Sequence, residues 1–125
     1  MRSDPLHFKN LIEVGQMIRQ GQVTSVEITG YMLNRIASVD EQFKSYIHVC
    51  GDRALEKAQA ADTEVAAGIY KGPLHGVPIG VKDLCFTTYA PTRAGTTIYK
   101  SFMAPHNATV VDRLETSGAV TLGKL

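Results

Sequence analysis

The chain has 125 residues, 44% of them hydrophobic and 20% charged, which suits one domain or part of a larger one and excludes a disordered tail. Thirteen basic residues against twelve acidic ones leave a net charge of +1, which excludes a general electrostatic attraction to nucleic acid or to an anionic membrane. Two cysteines, Cys50 and Cys85, are too few for the disulfide framework of a small secreted domain. Met1 to Lys9 carries Asp4 and no apolar run, unlike a secretory leader, and no stretch of about 18 apolar residues offers a transmembrane span. The expectation is a soluble cytoplasmic protein with neither nucleic acid nor membrane as partner.

In chain order, Phe8, Leu11, Ile12, Val14, Met17 and Ile18 recur at helical spacing, and Gly21 follows as a terminating glycine. Thr24-Ser25-Val26-Glu27 is a capping box, so a second helix starts there and carries Ile28, Met32, Ile36 and Val39 on one stripe. A third helix is expected from Asp52 to Ala67, with Ala54, Ala58, Ala61 and Val65 forming a small-residue face. Everything before Lys71-Gly72-Pro73 thus reads helical. Beyond it, Val77 to Lys82 is a short β-branched run in which Val77, Ile79 and Val81 share a face opposite Gly80 and Lys82. Pro78 has no amide hydrogen and belongs at the strand start or on a bulge. A polar stretch over residues 83–106 is too long for a mere connection and suggests a functional loop. Asn107 or Thr109 caps a helix through Val110, Val111 and Leu114 that stops near Gly118, and Ala119 to Leu122 is the next strand. Strand, loop, helix, strand is a βαβ unit, so the fold class is α/β with a parallel pair.

Lys82 is the first candidate for chemistry. It ends a strand, where ligand sites of α/β sheets gather, and a desolvated lysine can serve as a neutral base. Its plain alternative is a lysine that surfaces and pairs with Asp83 or Glu64. His7, His48, His75 and His106 are scattered and match no metal-ligand framework. Cys50 and Cys85 read as small core or loop residues, with a nucleophilic Cys85 the minor alternative because it is close to Lys82. Gly118 to Lys124 ends in Gly-Lys but lacks the glycine spacing and the Ser/Thr of a phosphate-binding loop.

Gly72-Pro73-Leu74-His75-Gly76-Val77-Pro78-Ile79-Gly80-Val81-Lys82-Asp83 resembles the start of the amidase signature family. Pro91-Thr92-Arg93-Ala94-Gly95-Thr96 resembles the loop that follows there. Asn107 to Leu114, then Gly118-Ala119-Val120 and Leu122-Gly123-Lys124, resemble the next helix and strand. The resemblance runs from about Leu11 to Leu125 and is strongest after Gly72. It implies an α/β/α domain around a mixed sheet, incomplete here: residues 1–71 as a helical front and residues 72–125 as the start of the core.

The same resemblance implies hydrolysis of a small carboxylic amide by a nucleophilic serine, a second serine after a cis peptide bond, and a lysine. Lys82 aligns with that lysine, as general base, and no cofactor or metal is implied. Such a lysine must be neutral, and burial on the Gly80 face is the expected source of that neutrality. Tyr89, Thr96 and Asn107 stand where glycine, serine and aspartate are common, and Tyr89 is expected to reshape the substrate mouth. The Gly/Ser-rich segment with both family serines is not found within residues 1–125; Ser101, Ser117 and the earlier serines do not sit in that motif. Two readings follow: the N-terminal portion of an amidase, inactive alone and prone to form homo-oligomers, or a non-catalytic half-domain that pairs with another chain.

Overall fold

The computed structural model describes residues 5–125; Met1 to Asp4, part of the stretch read above as unlike a leader, lie outside the described residues. A single 3-10 turn over Leu6–Phe8 precedes helix α1 (Leu11–Arg19). The helix therefore starts three residues later than its apolar spacing suggests. Asn10 is the reason: its backbone is extended, its side chain accepts from the Glu13 amide at 3.0 Å, and Glu13 accepts from the Asn10 amide at 2.7 Å. Gly21 follows at φ 69°, the left-handed conformation expected of it.

Helix α2 (Ser25–Phe43) opens on the capping box read from the sequence, with Thr24 and Glu27 exchanging bonds of 3.0 and 2.7 Å. Its first amides have a second partner: Asp62 of helix α3 (Gly51–Ala66) accepts from Ser25 and Val26 at 2.7 and 3.0 Å, a carboxylate at the positive end of a helix. The α3 alanines do what small residues allow. Ala54 and Ala58 are fully buried and pack against Val120 and Leu122. A second cluster joins Val14 and Ile18 of α1 to Ile28 and Val77.

The residues before Gly72 are not wholly helical. His48–Val49 forms strand β1, between α2 and α3. Two residues are too short a run for periodicity to reveal. Strand β2 (Pro78–Val81) begins on Pro78, as its missing amide hydrogen requires, and has an irregularity between Ile79 and Gly80. Helix α4 (Thr109–Thr116) leads to strand β3 (Val120–Lys124) through Gly118 at φ 87°. Neither Asn107 nor Thr109 caps α4. The N-cap is Ala108, and the Asn107 side chain instead accepts from the Thr88 amide at 2.8 Å and donates to Asp112 at 2.9 Å.

The sheet runs β1-β3-β2, with β3 central, parallel to β2 and antiparallel to β1. The βαβ reading is thus correct, and the small mixed sheet with its helices is the α/β class expected.

Gly15 lets α1 approach the turn before β2, because a Cβ at that position would overlap the Pro73 carbonyl oxygen. Alanine would gain about 1 kcal/mol of helix propensity but must displace a carbonyl held in a hydrogen-bonded turn, and overpacking costs about 1–3 kcal/mol. We expect Gly15→Ala to lower the melting temperature by several degrees. A raised one would show that the turn yields.

Candidate active site

Lys82 sits one residue past β2, on a backbone held from both sides by the same neighbour. Leu125 donates its amide to Val81 O at 2.8 Å, and the Leu125 carbonyl accepts from the Asp83 amide at 2.8 Å. Lys82 O in turn accepts from the Cys85 amide at 2.9 Å, which turns the chain into the loop. Strand alternation puts Lys82 opposite Val81: Val81 is buried and Lys82 exposed. The expected burial on the Gly80 face is therefore not met in this chain. The described residues leave that face uncovered at Lys82. Leu125 and Tyr46 are what adjoin Gly80 there, and a Cβ would come within 2.8 Å of Leu125 Cδ1 and 3.2 Å of the Tyr46 hydroxyl.

Nor does Lys82 take the partners weighed for it. Among the described residues it forms no ion pair, and both carboxylates are otherwise engaged. Glu64 accepts from Lys71 Nζ and from His75 Nε2, each at 2.7 Å. The Lys71 bond leads in holding the Glu64 carboxyl below its ordinary range. His75, 2% exposed, donates from Nε2 and accepts from the Lys71 amide at Nδ1 at 3.3 Å. Both ring nitrogens are used, and the ring locks α3 to the turn before β2.

Asp83 pairs with a residue that sequence reasoning passed over. Lys124, the last residue of β3 and the register partner of Val81, is 0% exposed. Its ammonium lies 3.3 Å from Asp83 Oδ1, an ion pair without an aligned hydrogen bond. The aligned partners are Thr92 Oγ1 at 3.0 Å, Thr87 Oγ1 at 3.3 Å and Pro91 O at 3.5 Å. Asp83 also accepts the Arg93 amide at 3.0 Å through Oδ2 and the Ala94 amide at 3.1 Å through its carbonyl. One sequence signal could have found this cluster: a lysine ending an apolar strand demands a buried anion, and the Thr-rich loop supplies hydroxyls.

The loop over residues 84–106 is tied down throughout. Thr92 donates its amide to Phe102 O, and Ala108 donates to Phe86 O, both at 2.9 Å. Phe86 and Phe102 meet edge to face at 5.6 Å and line an open groove of about 340 Å³ with Leu84, Thr92, Ala94 and Tyr99. Tyr89, expected at the substrate mouth, turns elsewhere. Arg53 of α3 lies 3.5 Å from its ring centroid and bonds Glu115 of α4 at 2.9 Å, and burial raises the Tyr89 hydroxyl. That tyrosine serves packing between α3 and α4.

Cys50 is buried ahead of α3, and burial pushes its thiol up, away from the thiolate a nucleophile needs. Cys85 is half-buried, three residues past Lys82. His7 bonds Tyr31, His48 lies in β1, and His106 stands beside Phe86. No group of three or more metal-ligating side chains occurs among the described residues.

The family model described as Amidase matches residues 27–125. The putative amidase AmiD of Mycobacterium tuberculosis is 52% identical over 122 residues, 98% of this chain and 26% of that protein. A glutamyl-tRNA(Gln) amidotransferase subunit from Thermobifida fusca is 45% identical over 112 residues, 90% of this chain and 22% of that protein. Among solved structures, native peptide amidase from Stenotrophomonas maltophilia superposes with a TM-score of 0.90 at 32% identity, over 96% of this chain and 25% of that one. The chain thus spans about a quarter of the length of these relatives. Matched over its sheet, its lysine-bearing strand end and its loop, the chain belongs to the amidase signature family.

Proposed function

We propose that residues 1–125 form the N-terminal part of a single amidase domain whose full-length enzyme hydrolyses a small carboxylic amide, with Lys82 as general base. The observation that carries this reading is the seat of Lys82: a lysine at the C-terminal end of a parallel strand, bonded through both flanking residues to Leu125, within the matched segment. Neutral Lys82 takes a proton from a bridging serine, which takes one from the nucleophilic serine as it attacks the amide carbonyl. The nitrogen leaves protonated, as ammonia when the amide is primary, and water releases the carboxylate. Both serines belong to a segment outside residues 1–125.

Lys82 is exposed here, so the desolvation that would keep it neutral must come from that same segment, laid over the Gly80 face of the β2 edge. Amide turnover by a full-length Lys82→Ala variant is the test.

Cys85 gives a second check. Because the proposed nucleophile is a serine, Cys85→Ser should retain most of the parent activity. A folded but inactive Cys85→Ser enzyme would point to thiol chemistry.

A further inference from the structure

The exposed lysine has a buried counterpart. Lys124 stands beside Val81 in the parallel register, and its fully buried ammonium is shared among Asp83, Thr87, Thr92 and the Pro91 carbonyl. Resting on the assignment of Lys82 as the base, the geometry points to Lys124 as its positioning residue: the Lys124–Asp83 pair holds the strand end and the loop together so that the Lys82 backbone keeps one position during proton transfer.

Three observations support this role. Asp83 is 4% exposed and directly follows Lys82, so the contacts that fix Asp83 also fix the peptide it shares with Lys82. Asp83 is held at four points: its amide by Leu125, its carbonyl by Ala94, Oδ2 by Arg93, and Oδ1 by the charge of Lys124. The threonines that bond Lys124 are themselves fixed to the loop. Thr87 donates to Ala90 O at 2.9 Å, and Thr92 lies 3.4 Å from Cys85 O, within the turn that Lys82 begins. Strand alternation leaves Lys82 on the opposite face of the sheet from Val81 and from Lys124, the register partner of Val81. Lys124 therefore has no part in proton transfer and acts only through the backbone.

A buried ion pair is weak evidence of stability, because desolvation offsets its attraction, and replacing both charges together is often neutral. That separates positioning from plain structural support. In the full-length enzyme, Asp83→Asn combined with Lys124→Met removes both charges and leaves neither stranded. We expect the double variant to melt within about 5 °C of the parent. Its kcat should still fall about 10–100-fold with KM changed less than about 2-fold, because a displacement of about 1 Å in a reacting group costs that much. Thr92→Val is the milder companion. It keeps the buried volume, removes the 3.0 Å partner of Lys124, and should lower kcat about 3-fold at an unchanged KM.

Parent-like kcat in both variants would overturn the positioning role, as would a kcat that recovers in step with the melting temperature. A Lys82→Ala enzyme with parent-like turnover fails differently: it removes the base itself, whatever Lys124 does.

Discussion

Lys82→Ala in the full-length enzyme should abolish amide hydrolysis and leave the melting temperature almost unchanged. Loss of a general base costs about 10²–10⁴-fold, and groups that act as a unit lose more, up to about 10⁶-fold. The stability half of the expectation comes from the seat of the residue. Lys82 makes no ion pair among the described residues and is held through backbone bonds that alanine keeps. Covering it with the later segment, as its proposed neutrality requires, costs desolvation that alanine does not incur, and its removal strands no partner charge among these residues. Lys82→Arg should be equally inactive, because a guanidinium does not release its proton in the working range. Single-turnover assays on a primary carboxamide, alongside thermal unfolding, would check both halves. Near-parent turnover in either variant would remove Lys82 from the mechanism.

The second large effect concerns the 125-residue polypeptide expressed alone, which should release no ammonia from simple carboxamides and should self-associate. Among the described residues both outer strands of its sheet, β1 and β2, have a free edge, and unpaired edges template pairing with other copies. Large apolar side chains are exposed as well: Ile98 at 83%, Phe8 at 72%, Phe43 at 70% and Leu84 at 63%. Such surfaces promote association when left uncovered. Sedimentation should show mass rising with concentration. A monodisperse monomer with a sharp unfolding transition would mean that the piece is self-sufficient. Ammonia release that disappears with Lys82→Ala would place the nucleophile within these residues.

What could be read from the sequence was whatever physics keeps local. The Thr24-Ser25-Val26-Glu27 box marks the start of α2 because both of its hydrogen bonds close within three residues. Pro78 marks the start of β2 through a missing amide hydrogen, and Gly21 and Gly118 mark chain reversals through positive φ. Lys82 stood out because its surrounding motif is contiguous. The features that were missed depend on distant partners. Strand β1 exists because His48 and Val49 meet Lys124 and Gly123, and two residues alone carry no period. Asn107 offered itself as a cap, but Thr88 and Asp112 engage its side chain. Tyr89 turns inward because Arg53 waits on another helix. The burial of Lys124 and the exposure of Lys82 both follow from which face of the sheet the loop covers, and that is not written in any window of sequence.

Of the three described strands, the central one is the last to be made. His48 pairs with Lys124 and Pro78 with Val120, so neither outer strand has a hydrogen-bonding partner until β3 has been synthesised. At about 5–20 residues per second, the ~75 residues between His48 and its partner correspond to roughly 4–15 s during which β1 exists as unpaired backbone. Helices α2 and α3 have no such wait, since their bonds are local and form in about a microsecond. The nascent chain should therefore pass through a helical intermediate whose three strands pair in one step once residues 120–124 are made. Pairings this distant in sequence form slowly, and during that interval the chain is most in need of a chaperone.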